Sequence, residues 1–254
     1  LELIAPFLDH NVVTPVLCCG MVGARQGWEE AKYSMVPCQT GGIKDAHRVI
    51  TMDKRLEVVI LPGFAQSLPA DVMRGEENQI AGYLKWEPNF FGTICLPGTH
   101  TKWAQISANE VVSFRTFLTG EIFELLTKHS TLRFYLTTDA WDQAAFLDAV
   151  NDALSAPHYF SSRLFEIRSD ALLNEIHAET ARARLSGFVI GLELAGARAY
   201  WLGQDIALIG SSSLCSLYQT ALEQQGINSE THDGDDMVLE GLKAAYRSLR
   251  LASS

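Results

Sequence analysis

Apolar residues fall along this chain in short runs broken by turn-forming stretches, with one long helical pattern near the C-terminal third. Residues 12–19 form a β-branched run that stops at Gly20, which predicts a buried strand. Residues 56–61 predict a second strand, closed by Pro62-Gly63, and residues 63–71, with Pro69 inside them, read as a connector. From Glu76 the spacing of Ile80, Ala81 and Leu84 becomes helical. A short buried strand over 93–96 runs into a polar segment, and residues 103–106 and 111–117 flank Ser107-Ala108-Asn109 as a hairpin. Thr119 is placed to cap a helix bearing Ile122, Phe123, Leu125 and Leu126, with Glu121 favourable in its first turn.

The most regular helix spans about 180–202, where Gly187, Gly191, Ala195 and Ala199 recur every four residues as one smooth face. Small residues at that spacing let another element approach closely. Glu193, Arg182, Arg184 and Arg198 interrupt the segment, which excludes a membrane-embedded helix pair. A strand over 206–209 leads through Gly210-Ser211-Ser212 into a further helix, and the chain closes with Asp233-Gly234-Asp235-Asp236 and a helix carrying Leu239, Leu242 and Ala245. Strands alternating with helices predict an α/β protein.

Composition narrows the function classes. The formal charge of −10 and the lack of any Lys/Arg cluster argue against a nucleic-acid partner. No apolar run reaches the roughly 18 residues that a membrane span needs. The five cysteines, Cys18, Cys19, Cys38, Cys95 and Cys215, include no CxxC pair, so we expect free thiols in a reducing cytoplasm rather than a disulfide framework or a zinc site.

Several short segments carry candidate chemistry. Gly98-Thr99-His100-Thr101-Lys102 follows a buried strand, and its glycine and threonine hydroxyls suit phosphate oxygens; a polar hairpin entry is the bland alternative. No Walker A loop exists in the chain. Met73-Arg74-Gly75-Glu76-Glu77 stands at a helix start, where a glutamate supplies a proton acceptor or only complements the helix dipole. Arg25, Gln26 and Trp28, in Gly23-Ala24-Arg25-Gln26-Gly27-Trp28, suit the carboxylate, hydroxyls and face of a sugar acid, or form a surface turn. Gly210-Ser211-Ser212 after its strand resembles a nucleotide-contacting turn. The acidic stretch at 233–236 lacks the remainder of a calcium loop.

Taken in order, residues 20–28, 73–77, 96–103 and 114–121 strongly resemble the 2-dehydro-3-deoxygalactonokinase family, and residues 185–191, 195–198 and 233–235 fit the same family. The resemblance spans essentially the whole chain. It implies a sugar-acid kinase of the actin-like ATPase superfamily, with two ribonuclease-H-like α/β domains and a nucleotide cleft between them. The expected division is a substrate-side domain over 1–70 and a nucleotide-side domain over 71–254. The implied reaction transfers the γ-phosphate of ATP, with Mg²⁺, to the 6-hydroxyl of 2-dehydro-3-deoxy-galactonate.

By the same resemblance Gly98, Thr99, His100 and Thr101 are expected to bind phosphate, with Lys102 in support. Glu76 falls on the catalytic Asp of a related Gly-Asp-Gln motif, with Glu77 second. Arg25, Gln26, Trp28 and Arg74 are expected at the sugar acid, and Gly210, Ser211 and Ser212 at adenosine; no metal ligand is assigned. The Asp-x-Gly-x-Thr hairpin that opens the superfamily is missing from the sequence, and we expect it to precede Leu1. The partners are small molecules, and a homodimer is left open. Two other readings stay open: a kinase for another sugar acid, such as the gluconate epimer, and an actin-like ATP-binding protein without transferase activity.

Overall fold

The structure is a computed structural model that describes residues 4–9, 11–41 and 43–252. It is mixed α/β. In chain order the strands and helices are β1 (Thr14–Cys18), β2 (Tyr33–Met35), β3 (Cys38–Gln39), β4 (His47–Val49), β5 (Leu56–Ile60), β6 (Gly63–Ser67), β7 (Ala70–Met73), α1 (Glu76–Trp86), β8 (Gly92–Leu96), β9 (Thr101–Ser107), β10 (Glu110–Phe117) and α2 (Thr119–His129). There follow α3 (Gln143–Ser155), α4 (Phe160–Leu173), α5 (Ala178–Gly196), α6 (Arg198–Trp201), β11 (Ile206–Gly210), α7 (Ser212–Gln224), β12 (Ser229–Asp233) and α8 (Gly234–Ala252). The chain divides into two compact units: Leu1–Phe91 with Ile106–Phe114 and Gly234–Ser254, and Gly92–Gln105 with Arg115–Asp233. Helices α1 and α8, both beyond residue 70, belong to the first unit.

In the first unit β1 and β5 pair in parallel, Thr14 opposite Leu56 through Cys18 opposite Ile60, with β4 antiparallel on the other side of β5. Ala31, Val49, Val58 and Ile60 form one apolar cluster there, and Phe64, Met73, Ile80, Tyr83 and Met237 of the same unit are buried as well. The segment read as a connector is in fact strand: β6 and β7 make an antiparallel hairpin closed by Ser67 opposite Ala70. With β2 parallel to β6 the hairpin belongs to a three-stranded sheet, and polar residues such as Gln66 and Asp71 deny it the apolar alternation that marks a strand in sequence. Helices α1 and α8 meet through glycine. A Cβ added to Gly82 would overlap the carbonyl of Met237, and one on Gly241 the carbonyl of Asn78.

In the second unit β8, β11 and β12 are parallel, Ile206 facing Thr93 on one side and Ser229 on the other, and β9 lies beyond β8. Parallel neighbours need a crossover, and α7 supplies the one from β11 to β12. The core is large, with Trp103, Phe146, Ile167, Leu185 and Phe188 all buried. The expected smooth face of α5 is used by α3: Cβ atoms on Gly187 and Gly191 would overlap the carbonyls of Phe146 and Val150. The hairpin at 107–110, which belongs to the first unit, turns through Ala108 and Asn109, both with positive φ (51° and 61°), which is the two-residue turn that matches strand twist.

Thr119 departs from its expected role. It is the first residue of α2, Leu118 precedes the helix without a capping side chain, and the Thr119 hydroxyl donates to the buried carboxylate of Glu193. An ionisable acceptor inside the core outcompetes a backbone N–H near the surface.

Gly187→Ala tests the α3–α5 contact. Overpacking costs about 1–3 kcal/mol, and the helix-propensity gain of alanine recovers about 1 kcal/mol of it. Because the clash is with backbone and with the Ala149 Cβ at 2.7 Å, a net loss is expected, read as a lower Tm in thermal unfolding. An unchanged or raised Tm would show that α3 can retreat.

Candidate active site

In the first unit two of the motifs come together. Residues Gly20–Gly23 form a 3₁₀ turn, with the Trp28 amide donating to the Val22 carbonyl at 2.8 Å. Gly23 is buried against Ile60, Ala31 and Arg74, and a Cβ there would lie 3.0 Å from Arg74 Nη1. Gly75 takes φ of +113°, open to glycine, and its Cα lies 3.9 Å from where a Cβ on Gly20 would stand. That backbone turn lets both glutamates of the first helical turn fold back. The Arg74 amide donates to Glu76 Oε2 at 3.0 Å, and the Gly75 amide to Glu77 Oε2 at 2.6 Å.

The two carboxylates then differ in environment. Glu76 is half-buried, whereas Glu77 is 5% exposed and its Oε1 is buried with no hydrogen-bond partner. Burial is the main cause that raises the Glu77 pKa to about 8, with the Glu76 charge adding to it and the Gly75 N–H working against it. Glu77 lines a cavity of about 370 Å³ together with Ser34, Gln39, Lys44, Asp45 and Asn78.

Sequence reasoning missed Ser34, Gln39, Lys44 and Asp45, which lie on short strands and loops without periodicity. The Ser34 hydroxyl donates to Asp45 Oδ2 at 3.0 Å, and Lys44 is exposed. Arg25, Gln26 and Trp28 are exposed and do not line this cavity; Arg25 pairs with Glu30 at 3.7 Å. Arg74 serves the local fold. Its Nη2 donates to the Ala31 carbonyl at 2.8 Å, and its guanidinium stacks 4.2 Å from the centre of the Tyr33 ring.

In the second unit three segments converge at the end of β8. Gly98 has open space where a Cβ would be, so its backbone is accessible. Behind it, Gly120 packs against the Gly98 carbonyl, the Glu121 amide donates to Thr99 O at 3.0 Å, and His100 Nε2 lies 2.5 Å from Glu121 Oε2. A Cβ on Gly210 would stand 3.1 Å from the Pro97 carbonyl, which sets the 210–212 turn beside the same loop. Ser211 precedes the first turn of α7, with Ser211 and Ser212 exposed. Thr101 and Lys102 are buried instead: the Thr101 hydroxyl meets Tyr218 OH at 3.0 Å, and Lys102 Nζ donates to His100 O at 3.0 Å. An adjoining cavity of about 320 Å³ is lined by Gly98, Thr119, Gly120, Trp141, Leu214 and Tyr218 among others.

Beneath this loop lies Glu193, which in sequence only interrupts an apolar helix. It is 2% exposed and accepts hydrogen bonds from Trp103 Nε1 at 2.7 Å, from Tyr218 OH at 2.8 Å and from the Thr119 hydroxyl. Burial pushes its pKa up to about 7, against the pull of those donors. A single acidic residue inside an apolar helical run is the signal that could have found it.

Among the described residues no group of three or more His, Cys, Asp or Glu side chains is placed to hold a metal ion. No helix there is long and apolar enough to cross a membrane.

Comparison with known proteins places this geometry. The family model for 2-keto-3-deoxy-galactonokinase matches residues 1–245. A probable 2-dehydro-3-deoxygalactonokinase of Rhizobium meliloti is 42% identical over 241 residues, covering 92% of this chain and 78% of that protein. The 2-dehydro-3-deoxygalactonokinase of Escherichia coli is 32% identical over 234 residues, 91% of this chain and 78% of its own length. The crystal structure of a candidate 2-dehydro-3-deoxygalactonokinase from Sinorhizobium meliloti superposes with a TM-score of 0.91 at 39% identity, covering 98% of this chain and 84% of that one. With a family model matched from residue 1 to residue 245 and relatives this similar, the chain belongs to the 2-keto-3-deoxy-galactonokinase family.

Proposed function

We propose that this protein phosphorylates 2-dehydro-3-deoxy-D-galactonate at its 6-hydroxyl with ATP, in galactonate catabolism. Family membership supports the reaction class, and the buried, half-satisfied carboxylate of Glu77 beside a cavity that also presents Ser34, Gln39, Lys44 and Asp45 is the observation that carries the chemistry. We read the two units as the two ribonuclease-H-like domains of the actin-like ATPase superfamily, the first for the sugar acid and the second for the nucleotide. Five free cysteines suit a cytoplasmic enzyme.

We assign the base to Glu77, ahead of Glu76, because its Oε1 has no protein partner and so has a hydrogen bond left for a substrate hydroxyl to supply. As the substrate's hydroxyl oxygen attacks the terminal phosphorus of ATP, Glu77 Oε1 accepts the hydroxyl proton, the new O–P bond forms, and ADP leaves with the old bridging oxygen. Lys44 is the cation of the cavity and is assigned to the substrate carboxylate. Arg25, Gln26 and Trp28 form a further exposed set in the same unit for the sugar, with Arg74 holding the turn beneath them.

In the second unit the accessible backbone of Gly98, with Thr99 and His100, is assigned to phosphate, and buried Thr101 and Lys102 support the loop from behind. The apolar walls of the adjoining cavity suit adenine, and Gly210, Ser211 and Ser212 the ribose side. Mg²⁺ carried on the phosphates would offset developing charge without an all-protein cage.

ADP release by the full-length enzyme, with and without the galactonate compound and with its gluconate epimer, tests the reading. Release with the galactonate compound alone is expected; release with neither acid would overturn it. Glu77→Gln should lower kcat by about 10²-fold or more with a small change in KM. If Glu76→Gln causes that loss instead, the base is Glu76.

Because Glu77 must be ionised to accept a proton, kcat/KM should rise with pH and reach half its plateau near 8. A profile already flat below neutrality would remove Glu77 as base. The raised pKa also makes this group's contribution to folding largest below about 4.5 and lost as pH rises through about 8.

Lys44→Met should raise KM for the sugar acid by about tenfold or more, as expected for a lost charged hydrogen bond, and leave KM for ATP unchanged. An unchanged KM for the acid would take Lys44 out of the pocket.

A further inference from the structure

We infer that Glu193 is a positioning residue for nucleotide binding, its buried carboxylate locking together the loop at 98–102, the start of α2 and the middle of α7. The inference rests on assigning that loop to phosphate.

Each of the three donors on Glu193 leads to a different wall of the site. Trp103 lies on β9 directly after the loop, with its indole N–H 2.7 Å from Glu193 Oε1. Thr119 begins α2, so its bond fixes the helix whose next two residues, Gly120 and Glu121, touch Gly98 and Thr99. Tyr218 lies on α7, the helix that Ser211 and Ser212 open, and it passes the connection on to Thr101 inside the loop at 3.0 Å. Thr119, Tyr218 and Gly98 also line the adjoining cavity of about 320 Å³. Trp103, Thr101, Thr119, Tyr218 and Glu193 are all buried, so water cannot substitute for a missing partner.

Stability is a poor account of this arrangement. Isolating a carboxylate from water is costly, and well-packed apolar replacements of buried charged groups are often neutral or stabilising. What an apolar side chain cannot do is hold three segments at fixed distances from one point. A directional acceptor with two oxygens can.

The chemistry of the donors also separates a positioning role from a requirement for charge. Trp103 can only donate, so the oxygen of a glutamine at 193 must face it. The amide NH₂ then faces the Thr119 and Tyr218 hydroxyls, both of which can accept. Glutamine therefore rebuilds all three links with two of them reversed, whereas leucine rebuilds none.

The experiment compares Glu193→Leu, Glu193→Gln and Tyr218→Phe in the full-length enzyme, measuring Tm, MgATP affinity by direct titration and both KM values. Glu193→Leu is expected to weaken MgATP binding by about tenfold or more, the scale of one lost buried link, with the sugar-acid KM unchanged. Glu193→Gln should restore most of that affinity. Tyr218→Phe, which keeps the ring and removes one link, should weaken MgATP binding by about threefold or more.

Unchanged MgATP affinity in Glu193→Leu, or equal losses for both substrates, would overturn the inference, as would a glutamine variant as weak as the leucine one. If Glu193→Leu fails to fold, Tyr218→Phe decides alone, and parent-like MgATP affinity there overturns it. The titration does not need turnover. Parent enzyme that binds MgATP but releases no ADP with the acid would therefore sink the proposed reaction while leaving this comparison decisive.

Discussion

A carboxylate removed from water must find hydrogen-bond donors or a proton, and that constraint organises both halves of this molecule. Among the described residues two glutamates lie almost wholly inside, Glu77 at 5% and Glu193 at 2% exposure, and they meet it in opposite ways. Glu193 accepts from an indole, a phenol and a threonine hydroxyl, so every segment bearing one of those donors is tied to it. Glu77 accepts a backbone N–H on one oxygen and leaves the other unpaired beside a cavity. The satisfied carboxylate suits a fixed frame, and the unsatisfied one keeps an oxygen without a protein partner, which is the feature the proposed reaction draws on.

The frame needs close backbone approach as well as directional bonds, and glycine provides it at a few contacts. Gly187 and Gly191 admit the carbonyls of α3, and Gly82 and Gly241 let α1 and α8 touch. Gly120 packs against the Gly98 carbonyl, with the Thr99 Cα 2.8 Å from where a Cβ would be. At this last contact packing and chemistry coincide: with Gly120 bare behind it, the loop is backed by helix while Gly98 itself stays open on its other side. A methyl group at either glycine would act in a different sense, since one would push the loop away and the other would cover it.

What could be read from the sequence, and what could not, follows from the range of the interactions involved. The strands at 14–18 and 56–60, the hairpin turning at Ala108-Asn109 and the small-residue face of α5 are local patterns, visible in spacing and residue type, although the first strand, expected to be buried, is half-buried throughout. The β6–β7 ribbon escaped because its stabilising partners are not on its own faces: Gln66 accepts from the distant Phe114 amide at 3.1 Å. Thr119 looked like a cap because capping is a local bond, and nothing nearby in sequence announces an acceptor 74 residues away. The contacts of Arg74 to the Ala31 carbonyl and the Tyr33 ring were not legible either, because those partners are supplied by a turn that sequence could not fold. The cavity beside Glu77 gathers Ser34, Gln39, Lys44 and Asp45 from short irregular elements, where no period exists to be read.

The same reasoning explains why the motif's two adjacent glutamates are not interchangeable. Both stand at the start of α1 and both fold back onto amide groups, so sequence position and helix dipole treat them alike. Burial separates them. The half-buried Glu76 keeps water within reach, whereas Glu77 holds an oxygen that protein leaves unpaired, and burial raises its pKa to about 8. A hydroxyl donating to that oxygen would supply the bond the fold withholds and would favour the ionised form. Binding of a donor and readiness to take its proton are thereby coupled through one atom, which a solvated carboxylate at the same helix start could not achieve.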